Sequence, residues 1–246
     1  SGRGHMTEAR LLVIQHDADT PLGELANPLV EAGLHLETWP TWVTDHPPWE
    51  LASFDGVLSL GSVESVRDEH RTPWIRSELA VLEDGLQRGM PMLGVCFGAQ
   101  ALARAAGGRV IPCPIPEVGW HPVEITEAGQ VDSVVGTLGE RLQVMHYHFD
   151  TFELPTSGAE ILGIHGDLLQ AFRIGPGAWG IQFHIEANPS VVYAWMAAFA
   201  DDMASAGVDF DAIRRETRAN WQTYRQRAWD LGIAFAHEVT VAADQR

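Results

Sequence analysis

The stretch from Met90 to Ala106 constrains the fold more than any other. An apolar run, Met90-Pro-Met-Leu-Gly-Val95, enters Cys96 and passes at once into Phe97-Gly-Ala-Gln-Ala-Leu-Ala-Arg-Ala-Ala106. A short run without polar alternation suits a strand covered on both faces, and the segment after it suits a helix, closed by Gly107-Gly108. The same alternation occurs upstream. Arg10 to His16 (RLLVIQH) predicts a buried strand, and Pro21 to Gly33 a helix with Leu22, Leu25, Leu29 and Val30 at helical spacing. His35 to Trp39 and Phe54 to Leu60 are further candidate strands, and Pro73 to Arg88 reads as an amphipathic helix with Ile75, Leu79, Leu82 and Leu86 on one stripe. Strands alternating with helices imply a parallel sheet covered on both faces, so the expected class is α/β, three-layer, with a mostly parallel central sheet. From Arg109 to Glu186 the pattern changes to strands and turns, an antiparallel excursion before the chain returns to the core. Ser190 to Ala206 and Asp209 to His237 read as helices. The expected organisation is one domain over residues 7–200, with a helical C-terminal extension over 201–246 packed on it; Ser1-Gly-Arg-Gly-His-Met6 reads as an expression-tag remnant.

Composition narrows the chemistry. The 246 residues carry 16 Lys+Arg against 33 Asp+Glu, a formal net charge of −17, and every basic residue is an arginine. Without lysine there is no P-loop lysine, no kinase β3 lysine and no Schiff base. So acidic a chain is a poor partner for nucleic acid or an anionic membrane, both of which need a basic face. No apolar run approaches the roughly 20 residues that span a bilayer. Two cysteines, Cys96 and Cys113, make neither a disulfide framework nor a CxxC metal knuckle. The expected location is cytoplasmic.

Cys96 stands out within Gly94-Val95-Cys96-Phe97-Gly98. A residue at a tight strand-to-helix turn is strained, and flanking glycines let the backbone turn without clashing. Its side chain then stands at the C-terminal edge of the sheet, where open α/β folds place their sites. The first helical turn favours thiolate over thiol and offers the Phe97 N–H to an oxyanion. A thiol needs a base. Trp179-Gly-Ile-Gln-Phe-His-Ile-Glu186 reads as a strand-like segment, on which residues two apart point the same way, so Glu186 can hold the His184 imidazole in the tautomer that accepts the thiol proton. On that reading activity falls on the acid side as His184 takes a proton.

With these residues the chain resembles the class I (triad-type) glutamine amidotransferases, and within them free-standing members similar to the amidotransferase domain of GMP synthase. The landmarks are Met92-Leu-Gly-Val-Cys-Phe-Gly-Ala-Gln100, Pro116-Glu-Val-Gly-Trp120, His146-Tyr-His-Phe-Asp-Thr-Phe152 and Trp179-Gly-Ile-Gln-Phe-His-Ile-Glu186. The resemblance implies the family's flavodoxin-like fold. It also implies a thioester route: Cys96 attacks the side-chain amide of glutamine, ammonia leaves, His184 serves as base then acid, and Glu186 orients it. The oxyanion falls to the N–H groups of Phe97 and Gly61. Gln100 is implied to line the substrate pocket, and His148, with its neighbour Phe149, to meet the amino-acid end of the substrate. Two places depart from the family pattern: Leu60-Gly61-Ser62 stands where Gly-Gly-Pro is usual, and His184-Ile185-Glu186 where His-Pro-Glu is usual.

The implied activity is a glutaminase that hands ammonia to an acceptor on a separate synthetase, since this chain carries no lysine-bearing phosphate loop. The alternative is a stand-alone γ-glutamyl amide or peptide hydrolase. A third, a catalytically quiet binding protein of the same fold, is opposed by the intact Cys96, His184 and Glu186. No cofactor is expected. His146-x-His148 with Asp150 has the spacing of a metal trio, yet no third ligand sits at a recognised interval, so a substrate-lining or structural role is expected and no metal. Thr38 to Trp49 reads as an apolar irregular loop, Cys113 as a packing residue, and the Arg- and Trp-rich helix around Arg214 to Trp229 as a cover for its own domain.

Overall fold

The structure is a computed structural model that describes residues 8–245; the tag-like Ser1 to Met6 lies outside them. The elements run β1 (Arg10–Gln15), α1 (Ala26–Glu31), β2 (His35–Pro40), β3 (Gly56–Ser59), α2 (Pro73–Gln87), β4 (Met92–Val95), α3 (Phe97–Ala105) and β5 (Arg109–Ile125). There follow α4 (Glu127–Gln130), β6 (Arg141–Glu153), β7 (Ala159–His165), β8 (Leu168–Ile174), β9 (Ala178–Ile181), α5 (Pro189–Ala198), α6 (Ala200–Ser205) and α7 (Phe210–Asp244).

Among the described residues one nine-stranded sheet has the order β2-β1-β3-β4-β9-β8-β7-β5-β6. The first five of these strands are parallel. The other four continue the sheet in antiparallel pairing, which is the excursion anticipated from the strand-and-turn pattern after Arg109. Leu11 to Ile14, all of β3 and all of β4 are buried, as their uninterrupted apolar runs require of strands with helices on both faces. Leu25, Leu29, Tyr224, Leu231 and Phe235 pack on one face. Ile75, Leu79, Leu82, Ala101 and Leu102 pack on the other.

Several boundaries move. The predicted helix Pro21–Gly33 begins as a 3-10 turn at Gly23–Leu25 and becomes α only at Ala26. The stretch Ser190–Ala206 divides into α5 and α6 at Phe199, whose φ of −116° and ψ of 30° break the helical ladder. The last helix extends past His237 to Asp244, started by the Asp209 carboxylate, which accepts from the N–H groups of Asp211 and Ala212. Trp39 is buried, with its indole N–H donating to Thr44 O, which closes the Trp-rich loop on itself. Cys113 is buried as expected of a packing residue. Among the described residues no helix is long and apolar enough to cross a membrane.

Candidate active site

Strand β4 delivers Cys96 directly to the first turn of α3. Cys96 has φ 53° and ψ −106°, and among the described residues it alone of the non-glycines has positive φ. The flanking glycines are required by contact. A Cβ on Gly94 would sit 2.4 Å from Gly98 O, and one on Gly98 would sit 2.3 Å from Ser59 O, so β3, β4 and α3 approach too closely for any side chain there. The Phe97 N–H, at the start of α3, and the Gly61 N–H have no hydrogen-bond partner among the described residues. Both are free to meet an anion beside the sulfur.

His184 and Glu186 reach Cys96 by a route other than the expected strand. β9 ends at Ile181, and His184 and Glu186 occupy a turn in which Ala187 N donates to His184 O at 3.1 Å. The turn, rather than strand alternation, sets His184 Nδ1 2.7 Å from Glu186 Oε1. It is clamped from outside: Glu24 N donates to Glu186 O at 2.9 Å, and the Tyr224 hydroxyl of α7 donates to His184 O at 2.7 Å. The Trp195 ring meets the His184 imidazole edge-on, centroids 4.6 Å apart. The C-terminal helix thus braces the histidine, a role that its Arg and Trp pattern did not reveal.

Burial alone would lower the His184 pKa. The charges of Cys96 and Glu186, and the hydrogen bond to Glu186, override that and hold it well above the ordinary histidine value. The contact from Nε2 toward the Cys96 sulfur falls short of ordinary hydrogen-bond geometry, and the attraction there is largely Coulombic. Gln182 Nε2 lies 3.6 Å from the sulfur and adds a weak donor.

The Leu60-Gly61-Ser62 loop lacks the second glycine and the proline of the family pattern, and three side chains hold it instead. Ser62 Oγ accepts from Glu64 N at 3.1 Å, Asp17 Oδ2 accepts from Val63 N at 3.2 Å, and His16 Nδ1 donates to Gly61 O at 3.0 Å. His16 Nε2 donates to Glu78 Oε2 at 2.7 Å, and Ser59 Oγ donates to Glu78 Oε1 at 2.5 Å. Each ring nitrogen of His16 faces an oxygen, an arrangement that favours the protonated ring. Burial works against that charge, but Glu78 outweighs it and the His16 pKa is raised. In the sequence His16 is only the end of a strand, because its partners at positions 61 and 78 are distant along the chain. Asn and Gln separate its two contacts. His16→Asn keeps a donor near the Nδ1 position for Gly61, and His16→Gln keeps one near the Nε2 position for Glu78. Activity is expected to fall about tenfold more in His16→Gln than in His16→Asn, with the stability order reversed, since an unpaired buried carboxylate is the costlier loss to the fold. Equal kcat in the two variants would show that the Gly61 tether is immaterial.

A cavity of about 380 Å³ opens over Cys96, bounded by Ser62 to Ser65, Arg67, Gln100, the Tyr147 to Asp150 segment, Phe199 and Asp202. Gln100 lines it, while its Nε2 is spent on Asp150 O at 2.9 Å and Gln182 Oε1 at 3.2 Å. Phe149 also lines it, partly exposed and edge-on to Tyr147. His148 reaches the cavity wall, but its ring is committed elsewhere: Nδ1 donates to Asp150 O at 2.9 Å and Nε2 lies 2.9 Å from Glu117 Oε2. Asp150 does not complete a trio with His146 and His148. It turns to the cavity side and pairs with Ser65 Oγ and with Arg67, whose Nη2 is 3.0 Å from Oδ1.

Residues 19–199 match the sequence profile of the class-I glutamine amidotransferases, well over half of the chain. The chain belongs to this family. Among its relatives, the glutamine amidotransferase-like protein YfeJ of Salmonella typhimurium is 27% identical over 204 residues, covering 81% of this chain and 84% of that protein. GMP synthase of Porphyromonas gingivalis is 33% identical over 164 residues, 66% of this chain but 30% of the synthase. The γ-glutamyl-L-1-hydroxyisopropylamide hydrolase of a Pseudomonas species is 27% identical over 146 residues, 56% of this chain and 49% of the hydrolase. The crystal structure of a glutamine amidotransferase from Thermotoga maritima superposes with a TM-score of 0.83 at 25% identity, covering 93% of this amidotransferase and 98% of that chain.

Proposed function

We propose that this amidotransferase cleaves the side-chain amide of glutamine, or of a related γ-glutamyl amide, through a glutamyl thioester on Cys96, and passes the ammonia from glutamine to an acceptor on a separate synthetase. One observation carries the reading: the strained Cys96 stands between two free N–H groups and a buried His184–Glu186 pair. The Cys96 thiolate attacks the amide carbon, and the carbonyl electrons move onto oxygen, facing the N–H groups of Phe97 and Gly61. As the C–N bond breaks, the His184 imidazolium gives its proton to the departing nitrogen and ammonia leaves. Neutral His184 then takes a proton from water, the hydroxide adds to the thioester, and glutamate leaves as the thiolate returns. Gln100 and the 147–150 segment bound the substrate. The relationship to GMP synthase, of which the chain matches 30%, supports an acceptor held by another protein.

The second reading, a stand-alone γ-glutamyl amide hydrolase, is favoured by the similarity to the named hydrolase and by the cavity lining, where Tyr147, Phe149 and Phe199 offer apolar surface to a larger amine. Purified protein and its Cys96→Ala variant, given glutamine or a panel of γ-glutamyl amides with and without candidate synthetases, separate the two by release of ammonia, amine and glutamate. Release from glutamine only with a synthetase supports the first, and rapid hydrolysis of an amide alone supports the second. No turnover and no trapped thioester would overturn both.

The raised His184 pKa adds an alkaline limb to the acid-side fall expected from the sequence. A group whose pKa is raised in the fold keeps its proton to higher pH and loses it as pH climbs through the raised value. The imidazolium needed to expel ammonia is therefore present at neutral pH, and kcat/KM is expected to fall on the alkaline side as His184 deprotonates. In Glu186→Gln that alkaline limb should move to lower pH, because one of the charges raising the pKa is gone. A limb that stays in place rules out the Glu186 role.

A further inference from the structure

The landmark segments around Glu117 and His146 converge on a second buried group, behind the floor of the cavity. Adjacent strands β5 and β6 set Glu117 opposite His148 and Gly119 opposite His146, so the Glu117, His146 and His148 side chains meet in the interior. His148 Nε2 is 2.9 Å from Glu117 Oε2, His146 Nδ1 is 3.3 Å from His148 Nε2, and His146 Nδ1 is 3.8 Å from Glu117 Oε2. His165, at the end of β7, approaches Glu117 Oε1 with its Nδ1 at 2.5 Å.

We propose that Glu117, His146 and His148 form a binding site for a divalent transition-metal ion of the zinc type. The three separations straddle about 3.3 Å, the edge of a tetrahedron whose centre lies about 2.0–2.1 Å from nitrogen and oxygen ligands. His148 is oriented as a metal ligand is. Its Nδ1–H donates to the Asp150 carbonyl, so Nε2 is the nitrogen turned inward. His146 supplies the independent observation: its side chain is wholly buried, and its Nδ1 faces another ring nitrogen rather than an oxygen acceptor. A proton shared between His148 and Glu117 accounts for that pair, and His146 Nδ1 is then left with only the 3.3 Å contact to the same His148 nitrogen. A cation accepting the Nδ1 lone pair gives the ring a purpose. Two imidazoles and one carboxylate suit zinc and its neighbours better than calcium or magnesium, which prefer all-oxygen sites. The His165 side chain, bound to Glu117 Oε1, is 32% exposed and marks the side from which water, as a fourth ligand, completes the set.

The site shares the His148 segment with the wall of the Cys96 cavity but does not use the thiol, and the test exploits that. The full chain, freed of metal by chelator and exchanged into a non-chelating buffer, is titrated with Zn²⁺ by calorimetry and with Co²⁺ by visible absorption. One equivalent is expected to bind with micromolar or tighter affinity and to raise the thermal midpoint. Binding should survive in Cys96→Ala and weaken by about 100-fold or more in Glu117→Gln and His146→Ala, beyond the roughly 10–100-fold typical of outer-shell changes. The Co²⁺ form should show the intense spectrum of four-coordinate cobalt without a thiolate band. Should the buried variants not fold, the Co²⁺ spectrum of the unaltered chain decides. Absence of binding below millimolar Zn²⁺, a thiolate band, loss of binding in Cys96→Ala, or unchanged affinity in a folded Glu117→Gln protein would each overturn the site and leave a proton-bonded network in its place.

Discussion

Gly61→Ala is expected to lower kcat by about 10²–10³, the loss typical of disabling one oxyanion donor, while leaving the protein folded. A Cβ at position 61 would lie 2.9 Å from His184 Cε1 and 3.9 Å from Cys96 Cβ. Such a contact is mild where the neighbour can swing aside, and here it cannot. The His184 ring is pinned by Glu186 on Nδ1 and by the edge of Trp195, while its carbonyl is held by Tyr224. Either the imidazole tilts away from the sulfur or the loop lifts its N–H away from the site of charge development, and both reach kcat before KM. Overpacking at one methyl of this kind should cost about 1–3 kcal/mol in stability. Steady-state kinetics on glutamine or the preferred γ-glutamyl amide, beside a thermal melt, checks this. An unimpaired Gly61→Ala enzyme would remove Gly61 from the site.

That crowding explains which parts of the site were legible in the sequence. Cys96 was, because elbow geometry is local: two glycines, a strand before and a helix after are all within a few residues. The sheet was legible for the same reason, since uninterrupted apolar runs such as Leu11 to Ile14 have few other uses. The pairing of His184 with Glu186 was anticipated, but by the wrong route. Spacing by two suggested a strand, whereas a turn clamped by Glu24 and Tyr224 sets the contact, and both clamps come from distant segments. His16, Tyr224 and Glu117 were not legible as site or cluster members at all. Each depends on tertiary neighbours far along the chain: His16 on Gly61 and Glu78, Tyr224 on His184, Glu117 on His146 and His148. Asp150 misled because alternation along a strand puts it on the face of His146 and His148, while its carboxylate takes the stronger offer of Arg67 and Ser65.

Cys96→Gly is expected to abolish turnover and yet raise the thermal midpoint above that of Cys96→Ala, which abolishes turnover equally. Both variants lose the sulfur, so they differ only in how they bear a backbone at φ 53° and ψ −106°. Holding an L-residue in such a region costs on the order of 1–3 kcal/mol, and alanine retains that cost while glycine does not. Glycine forfeits about 0.5–1 kcal/mol in chain entropy, leaving a net gain of about 1 kcal/mol, or about 2–4 °C for a chain of this size. Gly98→Ala, two residues on, should move the other way. Its Cβ would press within 2.3 Å of Ser59 O and 2.6 Å of Ser59 Oγ, backbone and side chain of a central strand that has no room to retreat, and overpacking of this kind costs about 1–3 kcal/mol or more. Thermal or urea melts of the three variants separate strain from packing. If Cys96→Gly melts at or below Cys96→Ala, the elbow stores no strain and the buried thiol owes its position to packing alone. If it melts above, the fold gives up stability at the one residue where the proposed chemistry needs a side chain to stand clear of the sheet, and the tight Gly94 and Gly98 contacts keep that conformation from relaxing.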